Sequence, residues 1–184
     1  RIGTFLGCRS LKEVAIPSSV TSIGDWVFKG CRSLRSIVIP DGVTSIGNIA
    51  FTDCSSFLIK YISIPKSVIC LNGNPFAKWD GKLECLSPYF IYEDDVLFNK
   101  DKSKIISFRN QAIRSYIIPS SVTSIGDSAF RGCSSLTDIV IPDSVTCIGD
   151  DAFSGCRSLR SVVIPNSVTS IGNWAFKDCC SLTD

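Results

Sequence analysis

The sequence predicts a solenoid of stacked coils joined by short parallel strands, because three residue types recur at one spacing. Successive prolines lie 23 residues apart, from Pro17 to Pro40 and again from Pro119 through Pro142 to Pro165. Phenylalanines and cysteines keep the same step within two groups, at Phe5, Phe28, Phe51, Phe130, Phe153, Phe176, Cys8, Cys31, Cys54, Cys133, Cys156 and Cys179. A fixed period of about 20 to 29 residues is typical of a leucine-rich-repeat solenoid, and we expect a right-handed one of roughly seven to eight coils.

The coil from Ser33 to Cys54 shows how the strands are predicted. Ile37–Ile39 alternates inward and outward side chains, as a short strand does. Pro40 ends this strand because proline has no N–H to donate to a neighbouring strand. Val43–Ile46 then predicts a second short strand on another face of the coil.

The rest of the coil predicts a corner and one turn of helix. Gly47 suits the corner, since glycine tolerates conformations that other residues avoid. Asn48 follows it, and asparagine is a favoured first residue, or N-cap, of a helix. We therefore expect Ile49–Phe51 to form a one-turn helix that directs Phe51 into the core.

The repeat is interrupted near the middle of the chain. We expect one solenoid domain over residues 1–184, with regular coils at 5–76 and 113–184 and an irregular repeat at 77–112. Within the irregular part, Tyr89–Phe98 and Lys104–Phe108 predict a central β-hairpin around a polar turn, projecting from the solenoid or widening it. The chain has no Met and begins and ends inside a repeat, so we interpret it as a fragment of a longer array.

Composition argues against several classes of function. The 184 residues carry a net charge of +2, which gives no electrostatic case for nucleic acid, and no apolar run is long enough for membrane insertion. Histidine is absent, and no phosphate-binding or nucleophile motif is present. We therefore predict no catalytic residues, no cofactor, no metal site and no enzyme activity.

Two regular arrays allow more than one interpretation. The six repeat cysteines predict a stack of small buried side chains, although disulfides between adjacent coils also fit the expected spacing. Cys85, at a predicted outward position, is expected to be the most exposed thiol. A row of Thr-Ser pairs could order water or ice, but threonine also simply suits an exposed strand.

The repeated unit, Ser-Leu-x-x-Ile-x-Ile-Pro-x-Ser-Val-Thr-Ser-Ile-Gly-x-x-Ala-Phe-x-x-Cys, resembles the BspA-like (Treponema-type) leucine-rich repeats of bacterial and protist surface proteins. Ser135–Cys156 and Ser158–Cys179 follow it closely. Asp95–Ile106 is similar to an interruption that these proteins often carry. The resemblance implies cell-surface or secreted proteins that serve in adhesion and protein recognition, and it implies no catalytic residues.

Outward positions of the first strand predict a binding strip on the concave sheet. An apolar row lies beside a mostly basic row, and this pattern fits either an extended protein or glycan ligand or an ordinary solvated sheet with solubilising charge. The strip comprises Arg35, Ser36, Val38, Lys60, Tyr61, Arg114, Ile117, Asp138, Val140, Arg160 and Val163.

The central hairpin supplies further candidate contacts, namely Tyr92, Glu93, Asp94, Lys100 and Lys102. The favoured function is non-catalytic recognition of a protein, matrix or glycan partner. The alternative is a structural building block that associates end to end, because open solenoid ends expose strand edges.

Overall fold

A computed structural model describes residues 1–54 and 57–183. The chain divides into two compact units, Arg1–Tyr92 and Glu93–Asp184, each of which is a stack of coils. No helix occurs in these described ranges, and hence none that could cross a membrane.

The first unit contains two short parallel sheets. One sheet aligns β1 (Ser22–Ile23), β2 (Ser45–Ile46) and β4 (Cys70–Leu71). The other pairs β3 (Tyr61–Ile64) with β5 (Lys82–Cys85). A further strand, β6 (Phe90–Glu93), lies where the chain passes from the first unit to the second.

The second unit repeats this arrangement and adds the hairpin. Its larger sheet contains β7 (Val96–Asn99), β8 (Lys104–Phe108), β10 (Ser124–Ile125), β12 (Cys147–Ile148) and β13 (Ser170–Ile171). A second, parallel pair joins β9 (Ser115–Ile117) to β11 (Asp138–Val140).

The predicted hairpin is confirmed, but it does not project. β7 and β8 pair antiparallel, and the first predicted strand is divided in two by a turn at Asp94 and Asp95. β8 also pairs parallel with β10, placing Ile105 beside Ile125. The second strand of the hairpin therefore serves as the strand of an ordinary coil.

Stacked phenylalanines form the centre of each unit. In the first unit the ring centroids of Phe5 and Phe28, Phe28 and Phe51, and Phe51 and Phe76 are 5.5, 5.7 and 5.8 Å apart. In the second unit Phe108 begins an equivalent series, 4.8 Å from Phe130. Phe76 and Phe108 lie outside the 23-residue step, so the core continues where the sequence period fails.

The predicted one-turn helix is wrong. Ile49 has a φ of 58°, in the left-handed region, which interrupts a right-handed helical turn. The N–H groups of Ile49 and Phe51 donate instead to Asn74 and Pro75 carbonyls in the next coil, both at 2.9 Å. Alternate residues of this segment thus form a further ladder between coils.

The predicted N-cap residues also bond to a neighbouring coil. The Oδ1 atom of Asp25 accepts the N–H of Asn48 at 2.8 Å, and the Oδ1 atom of Asn48 accepts the N–H of Asn74 at 3.0 Å. In the second unit Asp127 accepts from the N–H of Asp150 at 3.0 Å. In each pair, the side-chain oxygen of one coil accepts the hydrogen bond of a backbone N–H at the corresponding corner of the next coil.

Threonine hydroxyls also link neighbouring coils, on the face that carries the second strand of each coil, and there the side chain is the donor. The Oγ1 atom of Thr44 donates to the Thr21 carbonyl at 3.1 Å, and that of Thr169 donates to the Thr146 carbonyl at 3.2 Å. These protons are engaged by the backbone, so a structural role accounts for the Thr-Ser row.

The cysteine row is a ladder of free thiols. All ten cysteines are unpaired. The Sγ atom of Cys54 donates to the Phe28 carbonyl at 3.1 Å, and that of Cys156 to the Phe130 carbonyl at 3.2 Å. Burial raises the pKa of both Cys54 and Cys133 to about 12. These thiols stabilise the fold below their ordinary pKa of 9.0, and that contribution is lost as the pH rises through about 12.

Two sequence expectations for the first-face strands need correction. The predicted strand at 37–39 is not a strand, and neither are the equivalent segments 14–16 and 162–164 of other coils, although Val38 is exposed between buried Ile37 and Ile39 as predicted. Cys85 pairs with Ile64 in the ladder, so it lies at an inward position and is half-buried. The exposed thiols are instead those of Cys8, Cys70 and Cys180.

We expect Asn48→Ala to lower the free energy of unfolding by about 1–2 kcal/mol, because the N–H of Asn74 loses its side-chain acceptor. Asn48→Asp is the matched control, since a carboxylate keeps an acceptor at the same place. Urea unfolding followed by fluorescence measures both variants. Equal destabilisation by the two substitutions would contradict the role of the ladder.

We expect a thiol reagent near pH 8 to label Cys8, Cys70 and Cys180 rapidly in the folded protein. Cys54 and Cys133 should react only on unfolding, because burial and their raised pKa reduce the thiolate about a thousandfold. Peptide mapping after timed labelling provides the measurement. Rapid labelling of Cys133 under native conditions is the contrary result.

Candidate functional site

The predicted strip is exposed in the first unit. Five of its residues lie there, and all of them are accessible on the surface: Arg35, Ser36, Val38, Lys60 and Tyr61. Val38 is 77% exposed, although both of its sequence neighbours are buried. The alternation of the segment therefore presents one aliphatic side chain to solvent in this coil.

Tyr61 is held by a neighbouring strand rather than standing alone. Its hydroxyl donates to the Oε2 atom of Glu84, which also accepts from the Oγ atom of Ser63 at 3.1 Å. The bond from Tyr61, followed by the bond from Ser63, lowers the pKa of Glu84. The same bond to Glu84 raises the pKa of Tyr61. This cluster gives the strip a fixed polar edge.

Glu84 was missed by the sequence reasoning. It lies in the stretch where the repeat spacing is lost, and no equivalent residue marks it elsewhere. The alternation of Lys82–Cys85 is the signal that could have found it, because Leu83 is buried while Lys82 and Glu84 are exposed.

The second unit also exposes its part of the strip. All six predicted residues are accessible: Arg114, Ile117, Asp138, Val140, Arg160 and Val163. Ile117 and Val140 are direct partners in the β9–β11 ladder, and they are 69% and 53% exposed. Two large aliphatic side chains thus lie side by side on the open face of a sheet.

Charges flank this apolar pair. The Oδ2 atom of Asp138 accepts a hydrogen bond from the Thr137 hydroxyl at 2.6 Å. Arg114 and Arg160 lie at equivalent positions of their coils, on either side of Thr137. Neither arginine forms an ion pair within the part of the chain that the structure describes. The strip therefore combines apolar surface with unneutralised cations.

The hairpin candidates do not form one free surface. Lys102 and Glu93 form an ion pair with Nζ and Oε1 2.5 Å apart. Asp94 and Lys100 are exposed, whereas Tyr92 is half-buried at the end of the first unit. Among the five candidates, Asp94 and Lys100 are therefore the exposed charges that form no ion pair in the described part of the chain.

The titratable side chains do not converge on a metal site. Over residues 1–54 and 57–183, no group of three or more cysteine, aspartate or glutamate side chains could hold an ion. Inward thiols such as those of Cys54 and Cys156 donate to backbone carbonyls, and the sulfur of Cys133 accepts from the side-chain amide of Gln111.

Solved structures of bacterial repeat proteins share this fold. A leucine-rich cell surface protein from Faecalibacterium prausnitzii is 27% identical with a TM-score of 0.71, over 98% of this chain and 61% of its own. The pneumococcal vaccine antigen PcpA is 26% identical with a TM-score of 0.75, over 91% and 43%. A leucine-rich repeat protein from Eubacterium ventriosum is 28% identical with a TM-score of 0.66, over 90% and 57%.

This chain thus spans between 43% and 61% of the length of these three proteins. No curated protein matches it in sequence. The three neighbours are described as a leucine-rich cell surface protein, a vaccine antigen and a leucine-rich repeat protein, so the fold occurs in at least one bacterial cell surface protein.

A protein-family model agrees with the structural likeness. The model of the BspA type leucine rich repeat region matches in six copies, fewer than the seven to eight coils expected, over residues 2–86 and 104–184. The unmatched stretch, 87–103, holds β6, β7 and the hairpin turn. The chain therefore belongs to the BspA-type leucine-rich-repeat family.

Proposed function

We propose that the chain is a non-catalytic recognition module that binds a protein partner through the exposed strip. The observation that carries this proposal is the pair Ile117 and Val140, two large aliphatic side chains adjacent on a sheet face and open to solvent. Aliphatic residues in a row are more informative than scattered ones, because contiguous apolar surface marks interaction sites.

The energetics favour a partner at this place. Val163 is 80% exposed and Val38 is 77% exposed, so almost none of their apolar surface is buried within the fold. Covering one such side chain completely is worth about 1.5–3 kcal/mol. Ile117 and Val140, which are adjacent within the second unit, would together contribute about twice that to an interface.

The surroundings of the apolar row suit selective binding. Arg35 and Lys60 in the first unit, and Arg160 in the second, supply positive charge beside it. An apolar centre with a charged rim is the usual composition of protein interfaces. The ladders between coils also hold the backbone in place, so little entropy is lost on binding.

Adhesion at a cell surface is the setting that we propose for this recognition. The support comes from the family and from the neighbour described as a leucine-rich cell surface protein. A protein or matrix ligand outside the cell follows from that setting. The absence of enzyme activity stays a prediction.

We expect Val38→Glu/Val140→Glu to weaken binding of a captured protein ligand at least about tenfold, because a buried, unpaired carboxylate opposes the interface. The ligand is first identified by probing an array of extracellular-matrix and serum proteins with the wild-type chain. Surface plasmon resonance then compares the variants.

The matched control for this experiment is Ile171→Glu. Ile171 is 52% exposed and lies on β13, away from the predicted strip, so the same kind of change should alter binding less than about twofold. If the double variant bound the ligand as tightly as the wild type, the strip would not be the binding site.

A second candidate function is self-association into a filament or surface layer. The observation that favours it is an apolar cavity of about 230 Å³ in the first coil, bordered by Phe5, Ile16 and Ile23. Ile2 and Leu6 are exposed in that coil, at 69% and 51%. A further coil, from the same chain or from a second copy, would cover this surface.

Under this second proposal, the mass in solution should rise with protein concentration, because each added copy buries the apolar surface of that coil. Ile2→Glu/Leu6→Glu should abolish the rise, while Val38→Glu should not. Sedimentation equilibrium over a hundredfold concentration range, about 1 to 100 μM, measures both. A monomer at every concentration rules the filament out.

A further inference from the structure

A polar cleft in the second unit lies beside the apolar row and differs from it in chemistry. Its volume is about 570 Å³. Two rows of side chains line it, one from residues that precede and one from residues that follow the inward Ile113, Leu136, Leu159 and Leu182. The first row contains Ser135, Ser158 and Ser181, and the second contains Arg114, Thr137 and Arg160.

The coil geometry fixes this arrangement. Leu136 and Leu159 are fully buried, so the residues on either side of each leucine face outward together. The second row is joined by backbone bonds. The N–H of Thr137 donates to the Arg114 carbonyl at 2.7 Å, and the N–H of Arg160 donates to the Thr137 carbonyl at 3.1 Å. The cleft is therefore built by regular stacking and not by a mobile loop.

The charge of the cleft is unbalanced. Arg114 and Arg160 are exposed, and no carboxylate pairs with either of them among the described residues. Elsewhere in the second unit, by contrast, Lys102 pairs with Glu93 and Arg131 pairs with Asp151. Asp138 does not line the cleft, although its Oδ2 atom accepts from the hydroxyl of Thr137, a lining residue, at 2.6 Å, so the lining itself carries two cations and no carboxylate. A ligand for this site should consequently carry negative charge.

The size of the cleft favours an extended ligand over a single ion. The volume of about 570 Å³ falls within the range of sites for small organic ligands. Arg114 and Arg160 are two coils apart, which at ~4.8 Å per step places their backbones ~10 Å from each other. Their guanidinium groups are suited to two separate acidic groups on one molecule, each held by paired N–H donors.

The lining favours a sugar over a peptide. Ala112 is the one aliphatic residue that borders the cleft, so an apolar side chain of a peptide would find no pocket. Serine hydroxyls both donate and accept hydrogen bonds, which matches the hydroxyl groups of a carbohydrate. The cleft shares Arg114 and Arg160 with the predicted strip, but its serine and threonine hydroxyls suit a different ligand from the apolar side chains of the strip.

We propose that this cleft binds an acidic oligosaccharide. Arg114 and Arg160 hold successive sulfate or carboxylate groups, and Ser135 and Ser158 bond to sugar hydroxyls between them. This inference rests on the proposed recognition function and adds to it a ligand class and a site that overlaps the strip at Arg114 and Arg160.

The test is calorimetric titration of the whole chain with a sulfated hexasaccharide from heparin and with an oligogalacturonate hexasaccharide, which carries carboxylates alone. At least one should bind at about 0.15 M salt, and the stronger of the two identifies the acidic group. Arg114→Gln/Arg160→Gln should lower the affinity at least about tenfold. Circular dichroism verifies that this variant is folded.

Arg157→Gln is the matched control, because Arg157 is exposed in the same unit but does not line the cleft. It should change the affinity less than about twofold. An equal loss of affinity in Arg157→Gln would show that binding depends on the overall positive charge and not on the cleft, and it would overturn the proposal. So would tight binding of the sugar by the Arg114/Arg160 variant, or failure of both sugars to bind the wild type.

Two further arms separate the ligand classes and the two proposals. Polyglutamate or inorganic sulfate that competed as well as the sugar, at equal charge, would overturn the carbohydrate assignment. Ser135→Ala/Ser158→Ala should weaken sugar binding and leave sulfate binding unchanged.

Val38→Glu/Val140→Glu should leave sugar affinity within about twofold of the wild type. If the variant lost a protein ligand and the wild type bound neither sugar, the cleft proposal would be refuted and the strip proposal would stand.

Discussion

Each coil depends on hydrogen bonds to the coil before or after it, and this requirement governs the rest of the structure. The carboxylate of Asp25, the hydroxyl of Thr44 and the thiol of Cys54 all bond to backbone atoms of a neighbouring coil. A single coil has neither a closed core nor partners for these groups, so it gains stability only by stacking. Residues that recur every 23 positions are therefore those committed to the scaffold.

The same requirement explains how the irregular segments remain part of their stacks. In the first unit Phe76 continues the ring series although the step from Phe51 is longer, and Trp79 bonds through its indole N–H to the Ile59 carbonyl at 3.0 Å. In the second unit Phe108 begins its series at the end of β8. The chain can change its spacing provided that each stack keeps its aromatic rings and its ladder.

Sequence reasoning recovered the elements that depend on local pattern and missed those that depend on neighbours. Burial of Ile37 and Ile39 around exposed Val38 followed from alternation alone. The N-cap prediction at Asn48 correctly identified a side chain that accepts a backbone N–H. That N–H lies in the next coil and not in the same turn. Arg114 and Arg160 were predicted as outward residues, but Glu84 and the serines that complete the cleft were not found, since each site joins residues from coils that are separate in the sequence.

Specificity in such a fold is carried by positions that the ladders leave free. Arg114, Thr137 and Arg160 occupy one place in three coils, and their backbones bond identically whatever the side chain is. A substitution there changes the surface at little cost to folding, because neither arginine contributes an ion pair in the described part of the chain. The scaffold fixes where a side chain stands, so the variable outward residues alone determine which ligand the surface fits.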